Sequence, residues 1–81
     1  MSQWYVYMVR CADGSLYTGI AKDPARRLAE HNAGRGAKYT RGRLPVTLVY
    51  REAVANRGAA LKREYAIKQL TAARKRDLVL K

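Results

Sequence analysis

Hydrophobic and polar residues alternate with two different periods along the chain, and these periods predict strands and helices in turn. Trp4–Cys11 is rich in aromatic and β-branched residues, as is typical of a strand, and Leu16–Ala21 follows it after a short polar turn. A third strand is predicted at Val46–Val54, where large apolar residues occupy every second position: Val46, Leu48 and Tyr50.

The connection between the first two strands decides which side chains share a face of the sheet. A two-residue turn at Asp13-Gly14 would put Tyr7 and Tyr17 on opposite faces. A three-residue loop with Gly14 in the left-handed region would set Tyr7 opposite Gly19 and bring three side chains to one face: Tyr5, Tyr7 and Tyr17. We predict this second register, in which the glycine leaves room beside the tyrosine ring.

The first predicted helix has its two start signals in adjacent residues. Asp23 suits the N-cap and Pro24 the first helical position, and the helix runs to about Asn32, before a glycine-rich segment. Arg27 and His31 are four residues apart, so they are neighbours on the helix surface. The predicted apolar stripe lies beside them: Ala25, Leu28 and Ala29.

Two further helices complete the predicted fold. Asn56 is predicted to cap a helix that runs to about Leu70, and Thr71 one that ends at Leu78-Val79-Leu80. The order β-β-α-β-α-α gives an α+β fold, a small three-stranded, mostly antiparallel sheet flanked by three helices. We expect residues 1–81 to form a single domain, because the chain has no internal repeat and no linker segment.

The composition adds a strong positive charge to this small domain. Seventeen Lys and Arg against six Asp and Glu give the 81 residues a formal net charge of +11, spread along the chain. A folded basic domain favours a polyanion, most often nucleic acid, as its partner. A charge that serves solubility and an anionic membrane surface are the alternatives. A chain of this length buries only about 60–65% of its unfolded surface, which favours a shallow site on a polymeric substrate.

Ala33–Pro45 concentrates basic residues between glycines and contains no acid. We interpret it as a mobile loop that contacts phosphates and, through Tyr39, an unstacked base; a solvated linker is the alternative. The candidate nucleic-acid-binding residues lie in this segment and shortly before it: Lys22, Arg26, Arg35, Lys38, Tyr39, Arg41 and Arg43.

The counts of cysteine and histidine exclude other kinds of site. With one cysteine, Cys11, and one histidine, His31, the chain has neither an internal disulfide nor a structural zinc site of the Cys/His type. It has no signal-peptide pattern and no apolar segment of membrane-spanning length. We therefore expect a cytoplasmic protein without a membrane partner.

Glu64 is an acid in an unfavourable position on the second predicted helix. It lies three residues after Leu61 and three before Ile67, on or at the edge of the apolar stripe. A carboxylate there is costly unless it is paired or bound to a metal ion. An i,i+4 ion pair with Lys68 and a ligand role are equally compatible with this helix.

Together these features resemble the GIY-YIG nuclease domain. Its first motif corresponds to Tyr5-Val6-Tyr7 and its second to Tyr17-Thr18-Gly19. The arginine and the His or Tyr that the family places on the next helix correspond to Arg27 and His31, and its metal-binding glutamate corresponds to Glu64. The resemblance covers nearly the whole chain and points to the small stand-alone bacterial members of the family.

The chain departs from the family pattern at several places. Tyr5 replaces the Gly of the first motif and Thr18 the Ile of the second, at positions that supply none of the family's chemistry. Ile20 stands where some members carry a lysine, and no asparagine follows Asn56, although several larger members use one beyond the glutamate. The group of reactive residues is kept, so the departures bear on the turnover rate.

The resemblance implies a metal-dependent nuclease that hydrolyses phosphodiester bonds, in DNA rather than RNA, in DNA repair or processing. Glu64 would hold Mg²⁺ or Mn²⁺, and Arg27 would contact the scissile phosphate. Tyr7, or else Tyr17, would deprotonate or position the attacking water, with a pKa lowered by Arg27 and the metal ion. His31 would relay the proton, and a protein partner could supply specificity.

Two other functions fit the same charge. A non-catalytic DNA- or RNA-binding module would use the basic segment without any role for Glu64 or His31. A basic adaptor would instead bind an acidic protein. Metal-dependent cleavage, sensitive to EDTA, separates the nuclease from both.

Overall fold

The chain folds into one antiparallel sheet with helices on both faces. The computed structural model describes residues 3–79. The strand order is β2-β1-β3, so β1 is the central strand. The elements are β1 (Trp4–Arg10), β2 (Leu16–Ala21), α1 (Pro24–Asn32), α2 (Lys38–Arg41), β3 (Thr47–Val54), α3 (Arg57–Lys68) and α4 (Ala72–Val79). The predicted α+β class and antiparallel sheet are confirmed, with the short helix α2 as an addition.

The β1–β2 hairpin has the predicted register. Tyr7 lies opposite Gly19, and the Cys11 amide donates to the Ser15 carbonyl at 2.8 Å. Gly14 has a φ of 85°, the left-handed conformation that the three-residue loop requires. Tyr7 and Tyr17 therefore lie on one face of the sheet, as the candidate site demands.

β3 contains a bulge that the sequence pattern did not predict. Met8 pairs with Tyr50, but its neighbour Val9 pairs with Leu48, which leaves Val49 without an opposite residue. The strict alternation predicted for β3 was wrong at this point, since the extra residue puts Leu48 and Tyr50 on opposite faces.

The two faces of the sheet carry separate clusters of buried residues. One cluster, which α3 covers, contains Val6, Met8, Ala60 and Ile67. The other, against which Leu28 of α1 packs, contains Tyr7, Val9, Cys11 and Val46. The candidate tyrosine thus lies within the buried cluster on the α1 side of the sheet.

The apolar stripe predicted for α1 was also wrong. Ala25 and Ala29 are exposed, whereas Pro24 and His31 are buried and Leu28 packs against the second cluster. Positions 24, 28 and 31 follow the i, i+4, i+7 spacing of a buried helix face. A histidine occupies this face because both of its ring nitrogens have hydrogen-bond partners there.

The segment predicted as a mobile loop contains a helical turn, α2, and this part of the prediction was wrong. Thr40 of α2 is fully buried, and the Arg43 carbonyl accepts a hydrogen bond of 2.8 Å from the Ala12 amide in the hairpin. The Asn32 side chain donates to the Val46 carbonyl at 3.0 Å and accepts from the Val46 amide at 2.8 Å. These contacts fix the end of the segment to the hairpin loop and to α1.

The last two helices begin where their capping residues predict. Asn56 Oδ1 accepts from the Ala59 amide at 2.8 Å, and Thr71 Oγ1 from the Arg74 amide at 3.2 Å. The predicted end of α4 at Leu80 lies outside the described residues. Within residues 3–79, the helices are too short or too polar to cross a membrane.

Candidate active site

A hydrogen bond between two buried side chains forms the centre of the candidate site. Tyr7 lies on the central strand with 1% of its surface exposed, and His31 lies on α1 with 0% exposed. The Tyr7 hydroxyl and His31 Nε2 are 2.9 Å apart. The partnership between a tyrosine and His31, expected from the sequence, is present in the structure.

Gly19 makes room for the Tyr7 ring. A Cβ atom built at Gly19 would lie 2.7 Å from the Tyr7 hydroxyl oxygen, closer than real Cβ atoms come to other atoms. The Tyr7 ring therefore fits in this position only because residue 19, in the second motif, is a glycine. This confirms the expectation that Gly19 leaves room beside the ring.

The second nitrogen of His31 has its own partner, which the sequence reading missed. His31 Nδ1 lies 2.8 Å from Thr40 Oγ1, and Thr40 Oγ1 donates to the Ala37 carbonyl at 2.9 Å. A side chain at Gly36 would overlap the His31 ring. The signal available in the sequence was the polar Thr40 within a short helical turn that follows a glycine.

An aromatic stack runs from His31 towards the surface. The Tyr17 ring packs edge-on against His31 at 5.5 Å between centroids, and it stacks on the Tyr39 ring at 5.8 Å. The Arg43 guanidinium lies 4.1 Å from the Tyr39 centroid, and its Nε is 3.1 Å from Asp13 Oδ2. Tyr17 is thus placed beside the Tyr7–His31 pair, as predicted.

Arg27 lies at the edge of this group. Its Nη1 donates to Glu30 Oε1 at 2.9 Å, and 35% of its side chain is exposed. The hydrogen bond to Glu30 and, to a lesser extent, contact with Tyr7 raise the pKa of the guanidinium. A partly exposed ion pair of this kind contributes little to stability.

Burial has the largest effect on the pKa of Tyr7. It raises the pKa of Tyr7 to about 12, while the hydrogen bonding and charge of Arg27 act in the opposite direction. Arg27 therefore acts on the tyrosine pKa in the predicted direction, but burial outweighs it. At pH 7 a phenol with this pKa is protonated.

His31 is held in its neutral form. Burial lowers its pKa, and the positive charge of Arg27 adds to the effect, whereas Glu30 opposes it. A neutral imidazole has one ring nitrogen free to accept a proton. The pair therefore consists of a protonated phenol and a neutral acceptor at neutral pH.

Glu64 lies at the edge of the buried face of α3. Its side chain is 19% exposed, and its Oε2 is 3.2 Å from Lys68 Nζ. The i,i+4 pair weighed from the sequence is therefore present. The negative charge of Glu64 is also among the influences that raise the pKa of Tyr7, which places the carboxylate within electrostatic reach of the tyrosine.

The donor set suits a weakly held cation. Within residues 3–79 there is no group of three or more His, Cys, Asp or Glu side chains able to hold a metal ion. Mg²⁺ keeps several waters and is commonly held by one or two carboxylates together with substrate phosphates. Glu64 fits an ion shared with a phosphate and does not fit a closed protein cage.

The candidate nucleic-acid-binding residues occupy different surroundings. Tyr39 and Arg43 join the aromatic stack, whereas Lys22 lies over the Trp4 ring at 5.6 Å from its centroid. Arg26 is paired loosely with Glu30 at 3.9 Å. The others are exposed without a role in the stack: Arg35, Lys38 and Arg41.

The model of the GIY-YIG catalytic domain matches residues 3–77. The chain belongs to this family. GIY-YIG domains are nuclease domains that generally use divalent metal ions, so membership indicates a hydrolase whose substrate is nucleic acid. Of the motif residues that carried the resemblance, four lie around Tyr7 in the fold: Tyr17, Gly19, Arg27 and His31.

Small proteins of the same kind are found in bacteria and archaea. A UPF0213 protein of Desulfotalea psychrophila is 62% identical over 94% of this GIY-YIG chain and 70% of its own length. A UPF0213 protein of Halobacterium salinarum is 55% identical over 91% of the chain and 96% of its own length. In the second relative, the matched domain makes up almost the whole protein.

A solved structure has the same fold. The solution NMR structure of a UPF0213 protein from Bacillus halodurans is 45% identical to the GIY-YIG chain and superposes with a TM-score of 0.61. The match covers 95% of this chain and 82% of that one.

Proposed function

We propose that this GIY-YIG protein is a divalent-metal-dependent nuclease that hydrolyses phosphodiester bonds in DNA, with Tyr7 as the group that accepts the proton of the attacking water. The observation that carries the proposal is the contact of 2.9 Å between the buried Tyr7 hydroxyl and His31 Nε2. It gives the phenol a neutral acceptor for its own proton, which an isolated core tyrosine lacks.

The proton path needs no preformed phenolate. As the water oxygen attacks phosphorus, its proton passes to the Tyr7 oxygen, and the Tyr7 proton passes to His31 Nε2. The bond from phosphorus to the leaving oxygen breaks on the opposite side, and that oxygen takes a proton from solvent. Such a coupled transfer suits a phenol whose pKa burial raises to about 12. Tyr17, packed against His31, would help to place the water or the phosphate.

Arg27 would bind the scissile phosphate. Its guanidinium is partly exposed beside Tyr7, and its planar fork suits two phosphate oxygens. Charge that develops on the phosphate would then meet a fixed cation at the point of attack.

Glu64 would hold the metal ion, Mg²⁺ or Mn²⁺, jointly with the substrate. When bound, the ion supplies charge stabilisation at the phosphate. To hold the ion, Glu64 would release Lys68. Because the Lys68 side chain is 48% exposed, this ion pair is weak.

The net charge of +11 supports a nucleic-acid partner, with the exposed Arg26, Arg35, Lys38 and Arg41 as candidate phosphate contacts. The preference for DNA, a role in DNA repair or processing, the single-domain organisation of residues 1–81, the cytoplasmic location and a protein partner for specificity remain predictions.

The test is a cleavage assay with a panel of single-stranded, duplex, flapped and branched DNA and RNA in Mg²⁺ and in Mn²⁺, with and without EDTA. The account expects EDTA-sensitive cleavage of at least one substrate. We also expect no cleavage by Glu64→Ala or Arg27→Ala. Both variants should fold, because each residue is half-buried at the surface and its ion pair is weak. Cleavage by either variant that resembles that of the wild type would rule out this mechanism. Salt-sensitive binding without cleavage would favour the non-catalytic binding module.

A further inference from the structure

We propose that Thr40 is a positioning residue that fixes neutral His31 with its proton on Nδ1, so that Nε2 stays free to accept the proton of Tyr7. This inference rests on the proposed nuclease function for its consequence. The tautomer itself is a property of the free protein.

The single hydroxyl hydrogen of Thr40 favours one tautomer of His31. The Ala37 carbonyl lies 2.9 Å from Thr40 Oγ1 and can only accept, so we assign the hydroxyl hydrogen to this bond. The contact of 2.8 Å between Thr40 Oγ1 and His31 Nδ1 is then a hydrogen bond only if Nδ1 is the donor. In the neutral ring this leaves Nε2 without a hydrogen.

The hydroxyl hydrogen of Tyr7 favours the same tautomer. The Tyr7 side chain is 1% exposed, so an unpaired hydroxyl hydrogen there would cost about 1–3 kcal/mol. Within residues 3–79, the acceptor within reach of this hydroxyl is His31 Nε2 at 2.9 Å. A hydrogen on Nε2 would face the Tyr7 oxygen and leave the hydroxyl hydrogen without that acceptor. Both ends of the imidazole therefore favour the same tautomer.

One contact favours the other tautomer. The Ala37 amide points at His31 Nδ1 from 3.4 Å, which would suit a ring nitrogen without a hydrogen. This separation lies beyond the usual range of about 2.7–3.2 Å for strong hydrogen bonds. The Thr40 contact of 2.8 Å is the shorter of the two and lies within this range, so we give it more weight than the Ala37 contact of 3.4 Å.

The surroundings hold Thr40 in this position. Thr40 is 0% exposed on α2, and Gly36 allows the chain to pass directly against the His31 ring. Because a hydroxyl is neutral, it orients the ring without the charge by which a carboxylate would raise the histidine pKa. This agrees with a pKa of His31 that burial lowers.

The experiment is imidazole ¹⁵N NMR at pH 7.5 on the free protein. His31 is the only histidine in the chain, so the spectrum contains one pair of ring nitrogens. The wild type is expected to show a protonated Nδ1 and an unprotonated Nε2. Thr40→Val, which replaces the hydroxyl by a methyl group, is expected to shift the population towards Nε2–H. Thr40→Ser, which keeps the hydroxyl, is expected to give the wild-type spectrum.

The cleavage rate of each variant is the second readout. Thr40→Val should lose about tenfold to hundredfold in rate, a part of the 10²–10⁴ that general acid–base catalysis contributes, and Thr40→Ser should regain it. A wild-type spectrum with the proton on Nε2, or an unchanged tautomer in folded Thr40→Val, would overturn the proposal. If Thr40→Val does not fold, the wild-type and Thr40→Ser spectra still decide.

Failure of the nuclease proposal would look different. A protein that shows Nδ1–H but cleaves nothing would contradict the nuclease function and retain the assigned tautomer. An active nuclease with Nε2–H would overturn the role of Thr40 and the proton transfer to Nε2, and it would retain the nuclease function.

Discussion

Two tyrosines on opposite faces of the sheet have similar partners and different environments. Tyr7, on one face, meets His31 and Arg27. Tyr50, on the other, donates to Glu52 Oε1 at 2.6 Å, and the same oxygen accepts from Arg63 Nε at 3.1 Å. Each cluster contains a phenol, an acceptor and an arginine, but the acceptor is neutral in the first and anionic in the second.

The nature of the acceptor decides what each cluster is suited to do. Burial raises the pKa of Tyr50, and its hydrogen bond to Glu52 adds to the rise. The Glu52 carboxylate would repel a phosphodiester at this cluster, and the charge of Glu52 is already compensated by Arg63. His31 is neutral and brings no negative charge to the tyrosine, and the cation Arg27 beside it is paired only with the partly exposed Glu30. The combination of a phenol with a neutral proton acceptor and a nearby cation therefore distinguishes the candidate site from a structural cluster.

The largest expected contrast is between Tyr7→Phe and Tyr50→Phe. Tyr7→Phe should reduce the cleavage rate by about 10²–10⁴, since it removes the group that accepts the proton from water. Tyr50→Phe should leave the rate unchanged and cost about 1 kcal/mol of stability through its lost hydrogen bond. Single-turnover cleavage and urea unfolding measure the two effects. Equal rates for the two variants would remove the distinction between the clusters.

The next contrast concerns the glycine that makes room for Tyr7. Gly19→Ala should displace the Tyr7 ring, because the added Cβ would lie 2.7 Å from its hydroxyl oxygen, whereas nothing lies within 4 Å of a Cβ at Gly42. We expect Gly19→Ala to cost about 1–3 kcal/mol by overpacking and to reduce cleavage. Gly42→Ala is the matched control. A Gly19→Ala protein as stable and active as this control would show that the fit at Tyr7 is unimportant.

These positions also show which features of the site could be predicted from the sequence. Asp13 and Gly14 contain the turn chemistry that fixes the hairpin register, so the meeting of Tyr7 with Gly19 was predictable. The i,i+4 spacing of Arg27 and His31 likewise placed both on one side of α1. Local chemistry was sufficient for these features.

The remaining features depend on non-local packing. Thr40 approaches His31 only because α2 is fixed against the hairpin and α1, which no short-range pattern indicates. Strand β3 contains no glycine that would indicate the bulge at Val49 in the sequence. The raised pKa of Tyr7 follows from its burial, whereas its charged neighbours alone suggested the opposite sign.

A smaller effect is expected on changing pH. The pKa of His31 is lowered in the folded protein, so between that value and the unfolded value of about 6.5 the unfolded chain binds more protons. Stability is therefore complete above about pH 6.5 and falls as the pH drops through this window. Cleavage should fall in the same direction, because protonated His31 accepts no proton. Thermal unfolding of the wild type and of His31→Gln between pH 5 and pH 7.5 tests this, and an equal pH dependence in the two proteins would contradict it.

The smallest effect concerns the exposed basic residues. Arg41→Gln on the α2 side should reduce the salt slope of DNA binding by about 0.9, the value for one lost phosphate contact on duplex DNA. Arg74→Gln, on α4 against the other face, should leave the slope unchanged. Fluorescence titrations across a range of salt concentrations measure it, and the reverse pattern would move the nucleic-acid surface to the opposite face.

The most direct test of the nuclease account compares two glutamates, Glu64, the proposed metal ligand, and Glu52 of the Tyr50 cluster. Glu64→Gln and Glu52→Gln keep the shape of the side chain and remove its charge. With a substrate that the wild type cleaves in Mg²⁺, the account predicts that Glu64→Gln is folded and loses cleavage, while Glu52→Gln cleaves at the wild-type rate. Undiminished cleavage by Glu64→Gln would contradict it.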